Sequence, residues 1–205
     1  MSRVITAQDI PPAGELRVAI GAIFTPSARE LAQERGVRIV ELPEDQVHGL
    51  APPDRTVALG ADHGGFAMKE ALKPVFAQLG LEIRDAGVYE GKPADYPDVA
   101  LKVAEMVACG EAARGVIVDG AGIGSAIAAN KVPGIRAALC YDKASARNSR
   151  EHNDSNVLTL GGRMLTATQA EEVLRVWLGT PFGGGRHAPR VRKIAEIEAK
   201  YSRKP

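Results

Sequence analysis

Residues 115–131 read GVIVDGAGIGSAIAANK, and this stretch decides the fold. The apolar run at 115–118 is typical of a buried strand, and the glycines that alternate from Gly120 to Gly124 indicate a loop before a helix. A strand, a glycine loop and a helix in that order are the repeating unit of a parallel α/β sheet. Asp119 stands between strand and loop, where it is a catalytic base, a ligand-binding carboxylate or the cap of a turn.

The same alternation continues on both sides of this unit from Thr56 onward. Apolar runs predict strands, and amphipathic stretches between them predict helices, with Pro74 expected to kink or shorten one helix. The predicted strands cover 56–60, 81–87, 115–119, 136–140 and 156–161, and further helices cover 65–80, 97–110, 168–179 and 190–202. Five strands separated by helices predict a Rossmann-like three-layer α/β fold with a five-stranded parallel sheet, which binds ligands at the carboxyl ends of its strands.

The first 55 residues have a different pattern. The stretch TPSARELAQERG predicts a helix with Thr25 as its N-cap, and VRIVEL at 37–42 predicts a strand. The segment PEDQVHGLAPPD at 43–54 has the composition of a linker. We therefore expect an N-terminal extension over residues 1–55 and a separate domain over residues 56–205.

Composition narrows the class of protein. The net charge is +1 over 205 residues, and no apolar stretch approaches the roughly 20 residues that span a bilayer. Cys109 and Cys140 form no CxxC pair, and none of the four histidines lies in a zinc motif. We expect a cytoplasmic protein that uses no metal or other cofactor and binds neither nucleic acid nor membranes.

Four polar segments, which we expect after strands, carry the chemistry: 60–65, 119–125, 149–156 and 183–190. Each segment also has a purely structural explanation, such as a tight turn, an Asx turn or a solvated basic face. Together they supply a glycine cradle for an anion, carboxylates, histidines for proton transfer and a pair of arginines that fork onto a phosphate if the chain is helical there. This combination favours proton transfer on a small phosphorylated polyol.

The sequence resembles the type-B ribose-5-phosphate isomerases, which are grouped with the galactose-6-phosphate isomerase subunits. The resemblance lies in GADHGGFAMKEALK, DYPDVALKVAEMV, GAGIGSAIAANKVPGIRAALC, SREHNDSNVLTLGGRM and GGRHAPRV, in order over about residues 56–195. It implies a homodimer or dimer of dimers, a C-terminal helix that reaches a partner subunit, and active sites to which both subunits contribute. It also implies aldose–ketose isomerisation through an enediolate without a metal.

The resemblance assigns roles to individual residues. His152 would open the sugar ring as an acid–base group, Asp62 would bind the ring oxygen or hydroxyls, and Asn153 would hold hydroxyls. The implied phosphate-binding residues are His63, Arg163, Arg186 and Arg190. The implied donors to the enediolate oxygen are the amides of Gly120, Gly122 and Gly124.

The chain departs from the family pattern at Asp119. Many members have there the cysteine whose thiolate moves the proton, with Thr or Ser at the position of Ala121, and another branch has a glutamate at the position of Ser125. Neither Cys109 nor Cys140 is expected to replace the thiol. We expect Asp119 to act as the base, since a carboxylate performs this step in triosephosphate isomerase. The alternatives are sugar binding by Asp119 in an enzyme of altered substrate, and a structural or inactive site.

The predicted reaction is therefore the conversion of ribose 5-phosphate to ribulose 5-phosphate. The alternatives are an isomerase of another aldose phosphate and a non-catalytic sugar-phosphate-binding protein. In the extension, IFTPSARELAQERGV resembles segments of enzymes associated with bacterial microcompartments, so a shell or cargo partner is a further hypothesis.

Overall fold

The structure, a computed structural model, describes residues 4–5, 10, 15–42, 55–89 and 93–202. The chain divides into two compact units, residues 1–54 and 55–205. The predicted linker at 43–54 lies outside the described residues, as do the last three residues of the chain.

The described residues of the smaller unit form two short parallel strand pairs and one helix. Strands β1 (Val4–Ile5) and β3 (Ile23–Phe24) pair with each other, β2 (Glu15–Ala19) pairs with β4 (Arg38–Leu42), and helix α1 spans Pro26–Glu34. Thr25 caps α1 as predicted, with its hydroxyl accepting a hydrogen bond from the Ala28 amide. The apolar residues of this unit form their own core, which consists of Ile5, Ile10, Val18, Ala28, Ala32 and Val37.

The larger unit is built on one five-stranded, all-parallel sheet, which confirms the predicted fold class. Its strands are β5 (Thr56–Ala61), β6 (Glu82–Asp85), β7 (Arg114–Asp119), β8 (Ala137–Leu139) and β9 (Val157–Gly161), in the order β6-β5-β7-β9-β8. Its helices are α2 (Phe66–Gln78), α3 (Tyr96–Ala108), α4 (Ile123–Ala129), α5 (Lys143–Glu151), α6 (Ala167–Gly179) and α7 (Ala188–Ser202).

Alternation along the strands sends side chains into two cores. Leu59, Val118 and Leu160 point to a core shared with α2, α5 and α6, whereas Ala58 and Ile117 point to a core shared with α3 and α4. The sheet is therefore covered on both faces, which explains why its three central strands, β5, β7 and β9, are mostly apolar and buried.

Two glycines let α3 lie close to the sheet. A Cβ on Gly60 would fall 2.7 Å from a Val99 methyl, and one on Gly115 would fall 2.7 Å from a Val103 methyl. The close approach fixes the start of α3 beside the carboxyl end of β5. The prediction that Pro74 kinks or shortens its helix is wrong in length, because α2 runs through Pro74 to Gln78.

In the described part of the chain, no helix is long and apolar enough to cross a membrane.

Candidate active site

Three loops meet at the carboxyl edge of the sheet, after β5, β7 and β9. The Gly162 amide donates to the Asp119 carbonyl at 2.7 Å, and the Arg163 amide donates to the Gly120 carbonyl at 3.0 Å. A Cβ on Gly64 would lie 3.3 Å from the Gly120 nitrogen. These contacts bring Asp62, His63, Asp119 and Arg163 to one edge, as expected for ligand binding in an open α/β sheet.

The carboxylate of Asp119 is turned back onto its own loop. Oδ1 accepts hydrogen bonds from the Ala121 amide at 2.7 Å and from the Gly122 amide. Oδ2 accepts from the Ser125 amide at 3.0 Å and from the Ser125 hydroxyl at 2.5 Å. Asp119 is 4% exposed and Ser125 is fully buried. The Asp119 side chain therefore holds the glycine loop together, and the Gly122 amide expected to face an enediolate oxygen donates to Asp119 instead.

Two of the loop glycines are required by packing. Gly122 has φ +80, and a Cβ there would fall 2.5 Å from Leu139 Cδ1. A Cβ on Gly124 would fall 2.5 Å from the ring of Tyr96. Gly120 differs, since a Cβ there would meet only the Arg163 side chain, at 3.8 Å. Space for a ligand in this loop is therefore found at Gly120.

Asp62 presents a different carboxylate at the same edge. Its Oδ1 accepts a hydrogen bond from the Gly65 amide at 2.8 Å, and its own amide donates to the Val118 carbonyl. The side chain is 7% exposed. His63, the next residue, is exposed. The second oxygen of Asp62 has no hydrogen-bond partner among the described residues.

A cavity of about 730 Å³ opens beside His63. Loop 86–89 after β6 and the start of α3 form its walls, with Asp95 and Lys102 among the lining side chains. The fully buried Lys69 holds that loop by bonding both carboxylate oxygens of Asp85 at 2.8 Å and the Val88 carbonyl at 2.9 Å. Burial would raise the pKa of Asp85, but hydrogen bonds from the lysines and from a loop amide bring that pKa below its ordinary value.

The remaining predicted residues lie in a second cluster, around the turn that precedes β9. The rings of His152 and His187 are stacked, with centroids 4.1 Å apart and planes at 7°. Nδ1 of His152 lies 2.9 Å from the side-chain amide of Asn148, which is 3.5 Å from the amide of Asn153. His187 belongs to a 3₁₀ turn, Gly185–His187, that leads into α7.

Cations surround this histidine pair. Burial lowers the pKa of His187, and the positive charges of His152, Arg186 and Arg190 lower it further, while Glu151 opposes them. The exposed Arg186 and Arg190 lie in the 3₁₀ turn and in α7. The helix thus includes Pro189, and a concentration of positive charge lies next to an imidazole suited to proton transfer.

A buried arginine fixes the turn that carries His152. Arg150 donates to the Thr180 carbonyl at 3.2 Å, to Asp154 at 2.9 Å and to the Ser155 carbonyl at 2.5 Å, and its guanidinium stacks over Trp177 at 5.6 Å. Asp154 has a positive φ of 47°, so the turn is tight. Because Arg150 and Trp177 are buried, the packing of the core fixes the position of the turn and of His152.

The two clusters lie at opposite edges of the sheet. The turn at 152–156 precedes β9, where Asn156 accepts from the amide of Arg136 just before β8. Asp119 is paired with Gly161 at the other end of β9, and five residues of strand span roughly 16 Å. The expectation that all four polar segments follow strands is therefore wrong for 149–156 and 183–190. Within one subunit, the expected phosphate-binding residues are also divided between the edges.

Neither cysteine lies where it could replace the missing thiol. Cys109 is exposed and follows α3, which begins at the carboxyl edge and returns to the amino edge. Cys140 follows β8 but is buried, and burial raises the pKa of its thiol. Among the described groups at the carboxyl edge, the carboxylates and His63 are therefore the ones suited to proton transfer.

Three side chains at this edge were not predicted. Ser125 binds Asp119, the Tyr141 hydroxyl donates to the Ala121 carbonyl at 2.6 Å, and the Tyr96 ring packs on Gly124. A serine three residues after a loop glycine carries no distinctive signal. Tyr141 was detectable, since it directly follows a predicted strand that ends at the same edge.

Comparisons with known proteins match the larger unit to one family of sugar isomerases. A family model described as ribose/galactose isomerase matches residues 57–194. The chain is 42% identical to the ribose-5-phosphate isomerase B of Escherichia coli over 70% of this chain and 97% of the relative, and 39% identical to the D-erythrulose-4-phosphate isomerase of Pectobacterium atrosepticum over 70% and 95%. The structure of Clostridium thermocellum ribose-5-phosphate isomerase B superimposes with a TM-score of 0.70 at 49% identity, over 71% of this chain and 99% of that one.

Proposed function

Because the chain belongs to the ribose/galactose isomerase family, we propose that it interconverts an aldose phosphate and its ketose phosphate, with ribose 5-phosphate and ribulose 5-phosphate as the leading pair. The observation that carries the proposal is the meeting of two carboxylates, a histidine and an arginine at the carboxyl edge of the sheet. Isomerisation needs a base at the carbon chain and donors for the oxygens, and this edge supplies both.

The relatives support two identities for the sugar. The relative named for ribose 5-phosphate and the relative named for D-erythrulose 4-phosphate are similarly distant from this chain, at 42% and 39% identity. Asp119 and Ala121 depart from the common family pattern at the loop that faces the reacting carbons. A second candidate substrate is therefore a four-carbon sugar phosphate.

A substrate panel tests the proposal. Purified full-length protein is incubated with ribose 5-phosphate and with D-erythrulose 4-phosphate, and product is followed by NMR in deuterated water. We expect isomerisation of one substrate together with deuterium incorporation at the carbon that is protonated. Tight binding of a sugar phosphate without isomerisation or exchange would instead support the non-catalytic sugar-phosphate-binding alternative.

We propose that the active site is completed by a second subunit. His152, Asn153, Arg186 and Arg190 would then act at the carboxyl edge of a partner copy, where His63 and Arg163 stand. Support comes from the roughly 16 Å of strand that separates the two clusters within one chain. The exposed Ile194, Ile197 and Tyr201 on α7 also give this helix an apolar stripe suited to a partner.

Mixed assemblies test this arrangement. Asp62→Asn and His152→Ala variants, each inactive alone, are co-expressed with different affinity tags. In a mixed dimer one site combines both substitutions and the other combines none, so random pairing should restore about one quarter of wild-type activity. No recovery in isolated mixed assemblies would show that each site is built within one chain.

For the extension over residues 1–55 we propose association with a bacterial microcompartment, through a shell or cargo partner. Support comes from the separate compact unit at residues 1–54, which lies outside the matched range 57–194. Fluorescently labelled full-length protein should colocalise with a labelled shell, and a variant that lacks residues 1–54 should not.

A further inference from the structure

The two carboxylates at the carboxyl edge differ in their capacity to accept a proton. An ionised carboxylate offers about four lone-pair positions. Asp119 accepts four hydrogen bonds, two on each oxygen, from the loop amides and the Ser125 hydroxyl. With all four positions used and only 4% of the side chain exposed, Asp119 has no lone pair available for a proton from a substrate carbon.

Asp62 has a free oxygen. Only Oδ1 is engaged, by the Gly65 amide at 2.8 Å. Among the described residues, the single fully buried side-chain polar atom without a partner is Oγ1 of Thr159. Oδ2 of Asp62 has no partner among the described residues and is not such a fully buried atom, so part of its surface is accessible.

Asp62 also lies next to the place in the loop that has room for a ligand. Its Oδ1 and the Gly120 nitrogen each lie 3.3 Å from the position that a Cβ on Gly64 would take, so the two atoms are at most twice that distance apart. Gly120 is the loop glycine whose missing side chain leaves space, beside Arg163. A sugar held over Gly120 is thus within reach of Asp62 Oδ2.

We infer that Asp62 is the base that moves the proton between C2 and C1, and that Asp119 is a positioning residue that holds the loop; this inference rests on the proposed function. The C2 proton of the open-chain aldose passes to Asp62 Oδ2, the C2–H electron pair forms the C1–C2 double bond, and the C1 carbonyl oxygen becomes the enediolate oxygen. The proton of the C2 hydroxyl then moves to O1, the C2 carbonyl forms, and Asp62 returns its proton to C1. The step needs no oxidant, reductant or further reactant.

Matched Asp→Asn substitutions at three positions test this assignment in the full-length enzyme, with the substrate on which the wild type is active. Asp62→Asn should lower kcat by about 10² to 10⁴-fold with a much smaller change in KM, since a general base contributes that much. Asp119→Asn keeps a polar side chain in the loop and should lower kcat by less than tenfold. Asp142→Asn, at the exposed N-cap of α5, is the control, and we expect wild-type kinetics.

Chemical rescue distinguishes a base from a structural carboxylate. Added formate or acetate should restore part of the activity of Asp62→Ala, whose truncated side chain leaves room for the acid, together with deuterium exchange into the sugar, and should leave Asp119→Ala unchanged. Urea unfolding of each variant verifies that it is folded. Asp62→Asn that keeps kcat within tenfold, or Asp62→Ala that neither acid rescues, overturns the inference, as does rescue of Asp119→Ala alone. A wild type that isomerises no sugar phosphate overturns the proposed function instead.

Discussion

The hydrogen bond from Ser125 to Asp119 gives a quantitative prediction for Ser125→Ala. Both side chains are buried, and the hydroxyl donates to Oδ2 of the carboxylate at 2.5 Å. A hydrogen bond to a charged group contributes about 1.5–3 kcal/mol, and the substitution regains roughly 0.5 kcal/mol of helix propensity in α4. We therefore expect a loss of about 2 kcal/mol in the free energy of unfolding, or roughly 4–8 °C in Tm for a chain of this length.

Trp177 supplies the assay. It is the only tryptophan of the chain and is fully buried in the larger unit, so its fluorescence reports the unfolding of that unit in urea. Protein concentration is held constant because assembly changes apparent stability. Ser149→Ala is the control with neutral partners: Ser149 is also a buried helical serine, but its hydroxyl donates to the carbonyl of Ala146 at 2.9 Å and accepts from the hydroxyl of Ser155 at 3.1 Å. We expect a smaller loss there, of about 1 kcal/mol.

A double-mutant cycle isolates the contact. If Ser125 stabilises the fold through Asp119, the effects of Ser125→Ala and Asp119→Asn should be non-additive by about 1–2 kcal/mol. Additive losses, or a Ser125→Ala variant as stable as Ser149→Ala, would refute the view that the carboxylate is held inside the loop. Either result would return Asp119 to the candidates for the base.

Three further predictions concern charge and thiols. Asp85→Asn should lower the free energy of unfolding by about 2 kcal/mol at pH 7, because the buried Lys69 loses its two hydrogen bonds to a charged carboxylate and keeps Glu70, at 3.3 Å, as its remaining described carboxylate partner. Since the pKa of Asp85 is lowered by folding, this contribution should be present above about pH 4 and should fade as the pH falls through that lowered pKa, which urea titrations at several pH values measure. Iodoacetamide should modify the exposed Cys109, detected by mass spectrometry, without loss of activity, whereas a catalytic thiol would be inactivated. The pKa of His187 is lowered in the folded protein, so the unfolded chain binds the proton first and the folded state should lose stability as the pH falls below about 6.5. Between pH 7.5 and 5.5, the Tm of His187→Gln should therefore fall by less than the Tm of the wild type.

Each of these three predictions has a result that would contradict it. An acid dependence of stability that Asp85→Asn leaves unchanged would show that the lysine cluster does not hold that carboxylate. Inactivation by iodoacetamide in proportion to modification of Cys109 would place a thiol in the chemistry. A Tm of His187→Gln that falls with acid as steeply as that of the wild type would remove the stacked pair as the origin of the effect.

The sequence predicted the fold because local signals and the global architecture agree. Apolar runs at 56–60 and 115–119 are short, are bounded by glycine and alternate with amphipathic stretches, which leaves a parallel sheet as the natural solution. Pro74 was misjudged because packing of α2 on the sheet outweighs the hydrogen bond that proline removes. Tertiary burial decides such cases, and no local pattern records it.

The site was less predictable because its parts are joined through space. The glycine cradle and the residues around Asp62 follow strands, so chain order places them at one edge. The His152 turn precedes a strand, and only the observed register of β9 reveals that it lies at the other edge. The direction of the Asp119 side chain depends on a hydroxyl six residues later, and that contact required the structure.

A carboxylate that follows a buried strand needs hydrogen-bond donors, and the donors nearest to Asp119 are the amides of its own loop. A thiol at this position needs far less solvation and can face the substrate, whereas an aspartate is drawn into the loop. The Ser125 hydroxyl supplies the donor that completes this arrangement. The serine therefore keeps the carboxylate of Asp119 inside the loop, and under the inference made above the proton-accepting role falls to Asp62.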